Sequence, residues 1–89
     1  MRPGFAPGHN VDRVDVAAGM EFAVRLGYNS PTAQMVVEYA LMRHARGEEA
    51  GAQRTWLSYF PRDLTSWTAI LARAITAADI KAHTEETPA

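Results

Sequence analysis

His44 and Glu48 stand four residues apart, the spacing that would place an imidazole and a carboxylate on one helix face, where they could share a divalent ion. Two ligands without a third leave an ion underdetermined, and Gly47 between them is a natural helix end, so no metal site is assigned. His9 and His83 fall in stretches rich in Pro, Gly or polar residues, which cannot preorganise a general base for Ser-His-Asp chemistry. The chain has no cysteine, which removes disulfides, thiol catalysis and thiolate ligands together. No catalytic and no cofactor-binding residue is identified, and the expectation is a protein that is not an enzyme.

The second chemical possibility is contact with nucleic acid. Arg43, His44, Arg46 and Arg54 gather basic charge around Gly47, and two helices flanking that glycine would imitate a helix-turn-helix, with Arg43, Arg46 and Arg54 as the phosphate or base contacts. Glu48 and Glu49 stand at the end of the would-be reading helix that approaches DNA, where their charge repels phosphate. A formal net charge of −1 also argues against broad affinity for nucleic acid or anionic lipid. The plainer function of these arginines is to complement the negative end of a helix dipole.

The third possibility is recognition of protein surfaces. Trp56, Tyr59, Phe60 and Trp67 flank Pro61 as an aromatic corner; either they close a core or Trp56 anchors a partner, since Trp and Tyr dominate interface hot spots. Met20, Met35 and Met42 add adaptable apolar volume.

Four punctuated segments must position these groups. Ser30-Pro31 combines a capping hydroxyl with a ring fixed near helical φ, Gly27 and Asn29 tolerate a left-handed turn, Gly47 closes a basic helix end, and Pro61 disfavours helix at Phe60, with Asp63 as the next cap. The periodicity predicts an all-α domain over 11–83 built of helices at 11–27, 31–46, 48–60 and 63–82, the first capped by Asn10 or Asp12. The second and third could also form one kinked helix, because a glycine weakens a helix by only about 1 kcal/mol. Residues 1–10 and 84–89 read as flexible arms.

In the first helix Val14, Ala18, Phe22 and Leu26 form one stripe and Val16, Met20 and Val24 another nearly opposite. In the second, Met35, Tyr39 and Met42 form one stripe while Val37 and Leu41 form another. That is more apolar face than a single small bundle can bury. The resulting expectation is a homodimer held by the first two helices, with Val16, Met20, Val24, Val37 and Leu41 at the contact and Trp56 available to an unidentified protein partner.

Composition sets the outer bounds. Eighty-nine residues make one domain, and 47 % hydrophobic with 21 % charged residues is a globular balance that excludes wholesale disorder. No apolar run approaches the ~20 residues that span a bilayer, and Met1-Arg2-Pro3-Gly4 opens no signal-peptide core, so a cytoplasmic protein without membrane partners is expected. Eight Arg to one Lys, with Ala the commonest residue, is the bias of GC-rich coding sequence in a bacterium or phage. The reading is a non-enzymatic interaction or regulatory module, such as a phage-encoded regulator of a host protein. Its alternatives are a small DNA-binding regulator and a structural assembly protein.

Overall fold

The local signals resolve into four helices in chain order: α1 Val16–Arg25, α2 Pro31–Ala45, α3 Glu49–Tyr59 and α4 Leu64–Glu86. The computed structural model describes residues 14–86, with side chains through residue 84, and no strand occurs among the described residues. The all-α bundle expected from periodicity is therefore what the chain adopts.

Each boundary has a local cause. Ser30 Oγ accepts from the Ala33 N–H at 3.1 Å with Pro31 in the first turn, which starts α2. Gly27 and Gly47, at φ +104° and +85°, end α1 and α2 in the same way. The Gly27 and Tyr28 N–H groups bond Val24 and Ala23 carbonyls at 3.0 and 2.9 Å, and the Gly47 and Glu48 N–H groups bond His44 and Arg43 carbonyls at 2.9 and 3.0 Å. These are Schellman motifs, in which a left-handed residue satisfies carbonyls the helix end would orphan. α2 and α3 are thus two helices and not one kinked helix.

At the α3–α4 corner the Asp63 N–H returns to the Phe60 carbonyl at 3.2 Å, closing a turn with Pro61 second and Arg62 third. Arg62 takes φ +69°, a conformation that costs a non-glycine residue on the order of 1 kcal/mol. Asp63 then caps α4, its Oδ1 accepting from the Ser66 N–H at 3.4 Å.

Two boundaries differ from the sequence pattern. α1 begins at Val16 rather than residue 11, because Asp15 is its cap: Asp15 Oδ1 accepts from the Ala18 N–H at 3.0 Å, while the Asp15 N–H donates to the Ala74 carbonyl of α4 at 3.0 Å. That long-range bond fixes where the chain turns into the helix. Asn10 and Asp12, and the arm at 1–10, lie outside the described residues. α4 continues to Glu86 rather than stopping near Ala82, since nothing between them breaks a helix and Thr84 Oγ1 returns to the Ile80 carbonyl at 2.9 Å.

The core is Ala23 from α1, Val36, Val37, Ala40 and Leu41 from α2, Ala52 and Trp56 from α3, and Trp67, Ile70 and Ala74 from α4. α1 lies between α2 and α4 and reaches them through its smallest residues. A Cβ added to Gly19 would stand 2.5 Å from Leu41 Cδ1 and 3.2 Å from Ala74 Cβ. Gly19→Val is therefore expected to destabilise the fold by about 1–3 kcal/mol through overpacking, read as a lower urea midpoint. A neutral result would mean that α1 does not approach its neighbours this closely.

Candidate interaction surface

Burial redistributes the residues the sequence nominated. Val37, Leu41 and Trp56 are fully buried in the core and are not available to a partner. Val16 and Met20 are half-buried and packed against that core, leaving only Val24 of the first-helix group exposed. The physical reason is that the Gly19–Ala23 line of α1, between its two apolar stripes, faces inward, so α2 and α4 cover both flanks within one chain. Most of the inferred surplus on α1 is thereby absorbed, with Val24 and Leu26 left exposed at its end. On α2 the stripe that turns outward is the other one.

Met35, Tyr39 and Met42 of α2 and Tyr59 of α3 are 43–53 % exposed, and with Val36 and Glu38 they line one shallow groove of about 360 Å³. Single exposed apolar residues are ordinary on a protein surface; here four large ones gather around one depression. The chemistry suits recognition, because methionines adapt their shape and tyrosines offer rigid apolar area with a polar tip.

Arg43 borders this face. Its Nη1 donates to the Tyr39 hydroxyl at 3.2 Å and its Cζ lies 5.4 Å from the Tyr39 ring centroid, so the guanidinium both bonds and covers that ring. Its Nε is shielded from water without a hydrogen bond, although Glu48 Oε1 is 3.5 Å away. The Tyr39 hydrogen bond raises the Arg43 pKa above the arginine value, with partial desolvation opposing and Glu48 adding to it, so the guanidinium stays charged.

Glu48 also approaches Arg46, Nε to Oε2 at 3.6 Å. Two of the three arginines nominated for nucleic acid therefore share one carboxylate, while Arg54 stands exposed on α3 outside that cluster. His44, 7 % exposed, lies beside Trp67 and Leu71 in a separate cleft that includes Glu49 and Gln53. It shares no ion site with Glu48, and no group of three metal-binding side chains occurs among the described residues.

Sequence reasoning missed the part played by Tyr28 and Asp63. The Tyr28 hydroxyl donates to Asp63 Oδ2 and stands 3.1 Å from Ser66 Oγ, while the Asp63 carbonyl accepts from Trp56 Nε1 at 2.8 Å. Tyr28 also meets Trp56 and Phe60 edge-on, with centroids 5.2 and 5.1 Å apart. These residues tie the α1–α2 loop to the α3–α4 corner and hold α2 and α3 in place under the exposed face. The sequence signal was a lone tyrosine just past a capping glycine, which indicates docking but not the partner.

A second groove, of about 260 Å³, runs between α1 and α4 along Ala18, Phe22, Arg73 and Ile80, with Arg73 5.5 Å from the Phe22 ring centroid. No described helix is long and apolar enough to cross a membrane. Compared with known proteins, the chain matches no family model, no curated protein and no solved structure.

Proposed function

We propose that this protein is a non-enzymatic, cytoplasmic recognition module that acts by burying the Met35, Tyr39, Met42 and Tyr59 face of α2 and α3 against another protein surface, as small regulators and adaptors do. One observation carries this reading: four large side chains, each about half exposed, gather around a single groove, whereas Val24, Leu26, Leu64 and Ile80, the other exposed large hydrophobics among the described residues, do not line it. Contact through the α2–α3 turn with DNA is the weaker alternative, because Glu48 lies between Arg43 and Arg46 and Glu49 opens the helix that would have to meet phosphate.

Photo-crosslinking in cells tests the reading. A benzophenone side chain at position 39 or 42 is expected to trap protein, whereas the same group at exposed Arg54 or Lys81 is not. Crosslinks of equal yield from all four positions, or none from 39 and 42, would remove the face as a recognition surface. Retardation of DNA that weakens steeply with salt and is lost on charge reversal at Arg43, Arg46 and Arg54 would instead favour the regulator reading.

A further inference from the structure

The geometry points to a second copy of this chain as the occupant of the exposed face, in a parallel two-fold pairing of α2 with α2; the inference rests on the recognition reading above and names its partner. Met35, Tyr39 and Met42 follow the four-then-three spacing of heptad positions d, a and d. They lie across the helix from most of the residues α2 buries, Ala33, Val37, Ala40, Leu41 and His44, with buried Val36 at the border of the groove. α2 therefore carries one face committed to its own core and a second, outward seam of the coiled-coil kind.

Charge fixes the orientation. In this register Glu38 is a g position and Arg43 is the e position five residues later, the two places that meet across a parallel pair. A two-fold axis along the seam then forms Glu38 to Arg43 contacts on both sides, while stacking Met35, Tyr39 and Met42 on their own copies. An antiparallel pair centred on Tyr39 would bring Glu38 near its own copy and leave Arg43 without a facing carboxylate. Glu38 has no ion-pair partner among the described residues. Arg43 directs Nη1 to Tyr39 and Nε toward Glu48, which holds its positive charge at the border of the seam. Tyr59, on the neighbouring α3, widens a seam that is short by itself.

Sedimentation equilibrium of the full chain over the micromolar range is expected to give a mass that rises with concentration toward twice the 9.8 kDa of one chain. Glu38→Arg faces like charges across both sides of the seam and is expected to weaken the dimer about tenfold or more, with Arg43→Glu in the same chain restoring most of the loss. Because Glu38 is exposed and the chain has no cysteine, two further controls are clean. Helicity of Glu38→Arg should be unchanged, and Met42→Cys should oxidise to a linked dimer while Gln53→Cys, exposed on α3, stays monomeric.

A mass fixed at 9.8 kDa at every concentration overturns the self-pairing and leaves the recognition reading to the crosslinks from position 39, which would then contain another protein. Tighter association of Glu38→Arg, or Met42→Cys chains that do not link, overturns the parallel register.

Discussion

Truncating Trp56 to alanine is expected to lower the free energy of unfolding by about 3–5 kcal/mol, the range for removing a fully buried large aromatic. Its side chain has no exposed surface, and its ring meets Tyr28, Phe60 and Trp67 with centroids 5.2, 4.5 and 5.8 Å away. Trp56→Phe separates packing from the hydrogen bond. It keeps most of the aromatic volume but removes the donor to the Asp63 carbonyl, which would retain only the longer 3.4 Å bond from the Trp67 N–H. A cost of about 1–3 kcal/mol is expected for that acceptor. Urea midpoints at constant m-value measure both changes. If Trp56→Ala cost under about 1 kcal/mol, Trp56 would be a surface residue after all, and the corner built on Asp63 would be wrong.

The second large effect is expected at Trp67, which is 3 % exposed and begins the buried line of α4 that continues through Ile70 and Ala74. Trp67→Ala should also cost about 3–5 kcal/mol, a large part of the stability of a domain this small. Because the two indoles stack at 28°, the Trp56→Ala/Trp67→Ala pair should destabilise by less than the sum of the single changes. Strict additivity would show that the rings do not support each other. A shift for Trp67→Ala below about 1 kcal/mol would move α4 out of register with the core.

Legibility of the candidate site divides along the same lines as these energies. The Met35, Tyr39 and Met42 stripe was readable from spacing, and so were Arg43 and Glu48 as groups flanking Gly47. The stripe chosen for the surface was not. Val37 and Leu41 are as apolar as their neighbours across the helix, and periodicity reports that a helix has two faces without ranking them. Gly19 and Ala23 make the opposite case. Their small side chains carry little hydrophobic signal, yet they form the buried line of α1 because only small residues let α2 and α4 approach that closely.

What the sequence by itself determined is local. Ser30-Pro31, Gly27, Gly47, Pro61 and Asp63 act on backbone conformation and on hydrogen bonds a few residues away, so they placed the middle three breaks and the all-α class without reference to the rest of the chain. The tertiary structure decided what depends on distant partners. It set the start of α1 through the Asp15 to Ala74 bond, joined Tyr28 to Asp63 across 35 positions, and buried Trp56 while leaving Tyr39 in water. Hydrophobic burial is proportional to area and indifferent to which apolar face is covered, so the choice between two equal stripes is made only when the neighbouring helices arrive.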